Sequence, residues 1–141
     1  MALIARYLID TSAAARMRHS VVAARLSPLI EAGVIATCAS LDAEALYSAR
    51  SPTEYEQIRS DRRHAYEYIA TEDRHWQAAF TAQRALAQTG RHRAVGIADL
   101  LTAVLAGEHH LTLVHYDADF DITGEVTTFK HQWVAPRGSL A

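Results

Sequence analysis

The sequence predicts an α/β fold in which a short, mostly parallel sheet is covered by helices. Three short apolar runs, at residues 5–9, 34–39 and 111–116, have the length and side chains typical of buried strands. Between them, apolar residues recur at the three- and four-residue spacing of helices. Buried strands that alternate with helices favour a parallel sheet with both faces covered. The chain has 141 residues, 50% of them hydrophobic, so we expect one domain over residues 1–141.

The first half of the chain should contain two of the strands, each followed by a helix. Asp10 comes directly after the run at residues 5–9, and Val22, Leu26 and Ile30 mark the apolar face of the helix beyond it. The run at residues 34–39 is followed by Ser40, which can cap a helix over residues 41–49. Each strand therefore ends where helix-starting residues begin.

The second half should contain three longer helices and two strands. Two charged segments with apolar stripes, residues 53–70 and 72–88, predict a pair of helices, the first beginning near Pro52 and the second ending at Gly90. Residues 97–106 are almost all Ile, Leu, Val or Ala, which predicts a helix buried on nearly every side. The strand at residues 111–116 follows, and the run at residues 126–134 predicts a last strand.

Composition excludes several classes of protein. Cys38 is the only cysteine, so the chain has no internal disulfide and no cysteine-based zinc site. The net charge of −2 argues against a protein that coats nucleic acid by bulk charge, although a nuclease with an acidic site stays possible. No apolar run approaches the ~18–20 residues that span a bilayer, and the first residues do not resemble a signal peptide. We therefore expect a cytoplasmic protein with no membrane association.

Carboxylates occur where several of them can converge. Asp10 and Asp117 each follow a predicted strand, so parallel pairing would bring both to the carboxyl edge of the sheet. Asp99 lies in the first turn of the apolar helix, and Glu44 lies about one turn into the helix after the second strand. Converging carboxylates with no lysine nearby are the ligands that hard divalent cations such as Mg²⁺ and Mn²⁺ prefer.

Ordinary structural roles compete with this interpretation. Asp10 can serve as a helix N-cap, and any acid of residues 117–121 can cap a short helix that starts there. A buried carboxylate needs a partner, and Arg91 or Arg93 could supply one to Asp99. From the residues alone, a metal ion and a salt bridge explain Asp99 equally well.

Four short motifs follow one another along the chain: Asp10-Thr11-Ser12-Ala13 after the first strand, Glu44-Ala45 in the next helix, Ile97-Ala98-Asp99 opening the apolar helix, and Tyr116-Asp117-Ala118-Asp119-Phe120 after the later strand. In this order and spacing they resemble the PIN-domain ribonucleases, and in particular the VapC-type toxins of bacterial toxin–antitoxin pairs. The resemblance covers essentially the whole chain. It implies a PIN-like three-layer α/β/α fold.

The resemblance also implies a function. It makes Asp10, Glu44, Asp99 and Asp117 an acidic quartet with Thr11 as a hydroxyl neighbour, and because the last motif varies in the family, Asp119 stands beside Asp117 as a candidate fourth acid. It implies cleavage of RNA by metal-activated water with Mg²⁺ as the cofactor, for which Mn²⁺ can substitute. It further implies a VapB-like antitoxin as partner and a homodimer.

The sequence offers candidates for holding RNA, each with a structural alternative. Arg91 and Arg93 stand just before the apolar helix and are candidate RNA contacts. The basic residues within 59–64 can equally be the solvated face of a helix. The histidines at 109, 110 and 115 lack metal-ligand spacing and are expected at the surface or in turns. Trp76 and Phe80 are expected in the core or at a subunit interface.

Two functions from other classes compete with a nuclease. A receiver-like phosphotransfer domain would need a second acid beside Asp10 and a lysine near the site, whereas Thr11 follows Asp10 and the one lysine, Lys130, lies in a late strand. A non-catalytic binding module could use the acids as a pocket for a basic peptide. A metal-dependent nuclease assay separates this module from an enzyme.

Overall fold

A computed structural model describes residues 3–140. Its central sheet has five strands in the order β3-β2-β1-β4-β5, and every neighbouring pair is parallel. The strands are β1 Tyr7–Ile9, β2 Ile35–Thr37, β3 Glu67–Tyr68, β4 Thr112–His115 and β5 Lys130–Trp133. The helices are α1 Thr11–Ala14, α2 Ser20–Glu31, α3 Ala39–Tyr47, α4 Pro52–Ala65, α5 Asp73–Ala87, α6 Ile97–Glu108 and α7 Asp119–Thr123.

The two faces of the sheet are both covered, which makes the fold a three-layer α/β/α arrangement as expected. Successive residues of one strand belong to different core clusters: Leu8 packs with residues of α5 and α6, whereas its neighbour Ile9 packs with Val22 and Leu26 of α2. Because side chains alternate between the faces of a strand, both neighbours are buried. This explains why the strand sequences are apolar throughout.

Helix α6 supplies the largest share of the core on its side of the sheet. Leu100, Leu101 and Leu105 are all buried, and Thr102 and Ala103 are buried as well. The prediction of a helix enclosed on nearly all sides is confirmed. Its first turn, which carries Asp99, is the part that reaches the edge of the sheet.

Three predicted boundaries were wrong. Helix α4 ends at Ala65, and the strand β3 occupies part of the segment predicted to be helical up to residue 70. The last strand begins at Lys130, because Val126 still donates a turn hydrogen bond to the carbonyl of Thr123. Cys38, not Ser40, is the N-cap residue of α3, and the Ser40 hydroxyl lies 3.1 Å from that of Thr102.

None of the helices within the described residues is long and apolar enough to cross a membrane.

Candidate metal centre

Five carboxylates meet at the carboxyl edge of the sheet, where the ends of the adjacent parallel strands β1 and β4 lie side by side. Asp10 follows β1, Asp117 follows β4, Asp119 begins α7, Asp99 lies in the first turn of α6, and Glu44 lies in α3. We call these five residues the carboxylate cluster. All four predicted quartet positions, and the alternative fourth acid, are therefore present at one edge.

Three members form the tightest part of the cluster. Asp99, Asp117 and Asp119 each offer a carboxylate oxygen, and these oxygens lie within 4.8 Å of one another. The backbone N–H of Asp119 donates to Oδ1 of Asp117 at 2.9 Å, which fixes the loop between β4 and α7. The structure thus brings Asp117 and Asp119 to the same place, and the two are not alternatives in geometric terms.

Burial and the closeness of the other carboxylates raise the pKa values of the buried members of the cluster. Burial, followed by the charges of Asp10 and Asp117, raises the pKa of Asp99 to about 7. Asp10 is only 5% exposed, and burial raises its pKa as well, although hydrogen bonds from Ser12 act in the opposite direction. Repulsion among several carboxylates without a neutralising partner is the state that a bound cation relieves.

Two hydroxyl groups orient the acids from α1. Thr11 donates to Oε2 of Glu44 at 2.7 Å, as its predicted place beside the quartet suggests. Ser12 donates from its hydroxyl and from its backbone N–H to Oδ2 of Asp10, at 2.6 and 3.0 Å. The same Ser12 hydroxyl accepts the backbone N–H of Tyr116 at 2.9 Å. Ser12 therefore ties the end of β1 to the end of β4.

Ser12 is a site residue that the sequence motifs did not identify. The available signal was its position two residues after Asp10, where a side chain and an N–H can both reach the carboxylate at a helix N-terminus. The sequence also allowed Asp10 to be a helix N-cap, and this is confirmed, because Asp10 is the N-cap of α1. Capping uses Oδ2, so Oδ1 stays available for another partner.

The salt-bridge explanation of Asp99 fails. Arg91 pairs with Glu125 at 3.0 Å, and Arg93 is exposed. Across residues 3–140, no arginine, lysine or histidine pairs with any member of the carboxylate cluster within 4.0 Å. The cluster offers only oxygen donors, and such a donor set fits a hard divalent cation.

The other predicted candidates lie elsewhere. The described contacts do not join Arg91 or Arg93 to the cluster. His115 is fully buried beneath it rather than at the surface, and its Nδ1 accepts the backbone N–H of Asp117 at 3.2 Å. Lys130 begins β5 and therefore lies at the amino edge of the parallel sheet, opposite the acids. That position does not fit a receiver-like site.

Comparison with known proteins gives a consistent result. The family model described as PIN domain matches residues 7–126. Ribonuclease VapC21 of Mycobacterium tuberculosis is 40% identical over 134 residues, which is 95% of this chain and 97% of that protein. Ribonuclease VapC51 of the same organism is 38% identical over 135 residues, which is 96% of this chain and 97% of that protein.

Solved structures agree on the fold. The DNA-bound VapBC complex of Salmonella typhimurium contains a chain that matches with a TM-score of 0.73 at 14% identity, over 93% of this chain and 99% of that chain. VapBC2 of Rickettsia felis, bound to a promoter DNA fragment, matches with a TM-score of 0.70 at 18% identity, over 89% and 96% of the two chains. At such low identity the likeness concerns the fold.

Proposed function

Because the chain belongs to the PIN-domain family, we propose that it is a metal-dependent endoribonuclease and the toxin of a toxin–antitoxin pair. The observation that carries the proposal is the carboxylate cluster, in which five acids converge and the described residues offer no basic partner. The two ribonucleases that are 38–40% identical to it support RNA as the substrate.

We propose Mg²⁺ as the cofactor, with Mn²⁺ able to replace it. Asp99, Asp117 and Asp119 would hold the cation, since their oxygens already lie within 4.8 Å of one another. Asp10 and Glu44 each commit one oxygen to a hydroxyl of α1, which leaves Oδ1 of Asp10 and Oε1 of Glu44 for the cation or its waters. When bound, the cation activates water and neutralises charge on the phosphate.

The chain's own residues set the rest of the reaction. The hydroxyls of Thr11 and Ser12 already donate to carboxylates, and that of Ser12 also accepts a backbone N–H. These hydroxyls hold the carboxylates in place, and we infer that water supplies the attacking oxygen, so that the reaction is hydrolysis and needs no covalent intermediate. Burial and the neighbouring carboxylates raise the pKa of Asp99 to about 7, and a cation bound beside this carboxyl would favour release of its proton to solvent.

The first experiment compares Asp99→Asn with Asp61→Asn, an exposed acid of α4. Asp99→Asn removes a cation ligand, and we expect RNA cleavage in Mg²⁺ or Mn²⁺ to fall at least ~100-fold, the scale of a single catalytic group. Its melting temperature should stay equal or rise, because the substitution removes charge from a crowded site. Asp61→Asn should keep both properties. Full activity of Asp99→Asn, or cleavage by the wild type that persists in EDTA, would contradict the assignment.

We propose a VapB-like antitoxin as the partner, which the VapBC complexes among the structural neighbours support. An Arg or Lys side chain of that partner would enter the carboxylate cluster, since a guanidinium bridges carboxylates well. Its apolar helical segment would lie along grooves within residues 53–88. A cavity of about 470 Å³ lies between α3 and α4 on this part of the surface, and its lining combines Leu46, Tyr66 and Tyr68 with Arg59, Arg62 and Arg63.

Co-expression with the product of the adjacent upstream reading frame tests the partner. We expect a stable complex that cleaves RNA far more slowly than the free chain. If no complex forms, or if the complex is as active as the free chain, a stand-alone nuclease becomes the better account. We further propose that the protein acts in the cytoplasm, where RNA and the antitoxin would meet it, and that it forms a homodimer.

A further inference from the structure

Arg16 lies beside the carboxylate cluster without joining it. Its side chain is half-buried, its Nη1 donates to the carbonyl of Ser12 at 2.6 Å, and its guanidinium carbon lies 4.7 Å from the ring centroid of Tyr116. Ser12 holds Asp10, and Tyr116 directly precedes Asp117. The guanidinium is therefore held beside the acidic site by helix α1, which follows Asp10, and by the residue that precedes Asp117.

A second arginine extends this arrangement away from the site. The ring of Trp133 meets that of Tyr116 edge-on, with centroids 5.4 Å apart at 83°. The guanidinium carbon of Arg137 lies 5.9 Å from the centroid of Trp133. Arg16, Tyr116, Trp133 and Arg137 thus form a row at the carboxyl ends of β4 and β5, which we call the arginine–aromatic row.

Five arginines of residues 3–140 pair with a carboxylate, and the other eight, Arg16 and Arg137 among them, do not. Arg62, Arg74 and Arg91 each pair with a carboxylate within 4.0 Å. Within residues 3–140, Arg16 and Arg137 have no such partner, although five carboxylates stand close to one end of the row. The row therefore presents two positive charges without an ion-pair partner, of which Arg16 lies beside the carboxylate cluster and Arg137 lies at the far end of the row.

This juxtaposition suits a phosphodiester chain. One phosphate of such a chain would be held at the carboxylate cluster through a cation, and the neighbouring phosphates would need positive charge of their own. Guanidinium groups bind phosphate oxygens through two parallel hydrogen bonds, and stacking on an aromatic ring fixes the plane of the fork. Nη1 of Arg16 donates to the carbonyl of Ser12, while Nη2 of Arg16 and the guanidinium of Arg137 have no protein acceptor among residues 3–140 and can donate to a phosphate.

We propose that the arginine–aromatic row binds RNA phosphates that flank the scissile bond, on the side of the site that lies over β4 and β5. The inference rests on the proposed ribonuclease function and extends it to how the substrate is positioned. Arg16 and Arg137 are positioning residues in this account, since they contact neighbouring phosphates and not the reacting atoms.

The test measures binding separately from cleavage. A labelled single-stranded RNA is titrated with Asp99→Asn protein in Mg²⁺, so that binding is read by fluorescence anisotropy without turnover. Arg16→Ala and Arg137→Ala are added in that background, and Arg18→Ala, an exposed arginine two residues from Arg16, is the matched control. We expect each row variant to weaken binding about tenfold and to lower the slope of log affinity against log salt by about one. Arg18→Ala should change affinity less than about twofold.

Kinetics on the otherwise wild-type chain give a second reading. Arg16→Ala and Arg137→Ala should raise KM with kcat nearly unchanged, and Arg16→Lys should recover part of the loss, because it restores the charge but not the fork. The Mn²⁺ affinity and the melting temperature should not fall. If Arg16→Ala lowers the Mn²⁺ affinity and the melting temperature together with RNA binding, the role of Arg16 is structural and the proposal is wrong for this residue. The result for the exposed Arg137 then decides whether the arginine–aromatic row binds RNA.

The remaining outcomes separate this inference from the proposed function. If the row variants and Arg18→Ala change RNA affinity equally, the proposal that the row binds RNA is wrong. Metal-dependent cleavage by the wild type would still support the proposed nuclease function. Normal RNA binding by the row variants combined with loss of antitoxin binding would make the row a protein-docking surface. If the wild type does not cleave RNA, the nuclease proposal fails, and the anisotropy measurement still decides whether the row binds RNA.

Discussion

Asp99 and His115 are two buried titratable groups whose pKa values move in opposite directions. Burial and neighbouring carboxylates raise the pKa of Asp99 to about 7. Burial, followed by the adjacent His131, lowers the pKa of His115 to about 4. Each shift means that the folded protein disfavours the charged form of the group. The two groups therefore give the fold opposite dependences on pH.

The sign of each dependence follows from proton linkage. The folded state binds the Asp99 proton more tightly than the unfolded state, so this group's contribution to stability falls as the pH rises from about 4 to 7. The folded state binds the His115 proton less tightly, so its contribution falls as the pH drops from 6.5 to about 4. Between pH 4.5 and 6.5 the two effects cancel.

We expect Asp99→Asn to reveal the His115 effect. In EDTA, the contributions of Asp99 and His115 to the unfolding free energy of the wild type largely cancel between pH 4.5 and 6.5. The unfolding free energy of Asp99→Asn should therefore rise with pH relative to that of the wild type, by up to about 1.4 kcal/mol per pH unit. Urea denaturation at four pH values measures both profiles, with Asp61→Asn as the control that follows the wild type. Parallel profiles for wild type and Asp99→Asn would show that the pKa of Asp99 is not raised.

Among single residues, the sequence identifies the acids of the site better than the residues that surround and orient them. Asp99 is conspicuous in an apolar helix, and Asp10 is conspicuous at the end of an apolar strand. Ser12 is not, because its partner Tyr116 lies 104 residues further along the chain. The burial of His115 is equally hidden, since it results from its contacts with Phe120, His131 and Trp133 across the end of the sheet. Such roles are created by packing and leave no local pattern.

Helix α6 is approached closely by the segment that leads into β5, and the contact is at Gly107. Gly107 lies in its last turn, and a Cβ at that position would come within 2.4 Å of the backbone oxygen of Thr128. The segment leading into β5 therefore crosses directly over the helix. A backbone atom cannot move aside as a flexible side chain can, so the absence of a side chain is required for this contact.

Gly107→Ala should destabilise the protein despite the higher helix propensity of alanine. The propensity gain is about 0.8–1.0 kcal/mol, whereas overpacking against backbone costs about 1–3 kcal/mol. We expect a net loss of up to about 2 kcal/mol in the free energy of unfolding, measured by urea denaturation. Gly124→Ala is the control, because its Cβ would meet only ordinary contacts near 3.5 Å. A Gly107→Ala protein more stable than wild type would mean that the two segments do not pack so closely.

Elements with a strong local pattern were predictable, and β3 was not. Its two residues, Glu67 and Tyr68, carry no apolar run, and they follow a segment whose helical pattern continues up to Ala65. The strand exists because β2 offers an unpaired edge and because the Glu67 carboxylate accepts the backbone N–H groups of Ile4 and Ala5 at 3.0 and 2.9 Å. Pairing at a sheet edge depends on the neighbour, which sequence periodicity does not describe.

For the whole molecule, α5 carries a surface suited to a second subunit. Its inner side is buried through Ala79, Ala82 and Leu86. On the outer side, Trp76 and Phe80 stand one turn apart with ring centroids separated by 6.3 Å, and they are 38% and 46% exposed. Adjacent exposed aromatic rings are typical of subunit interfaces, because burying them removes a large apolar area from water. This pair supports the proposed homodimer.

We expect Trp76→Glu and Phe80→Glu to convert a dimer into a monomer, since each would place a carboxylate in an apolar interface. Multi-angle light scattering at micromolar concentration should give twice the 15.6 kDa chain mass for the wild type and a single chain mass for both variants. Tyr47→Glu is the matched control: Tyr47 is 92% exposed, and its substitution should leave the mass unchanged. A monomeric wild type would reject the homodimer, and variants that remain dimeric would place the interface on another face of the molecule.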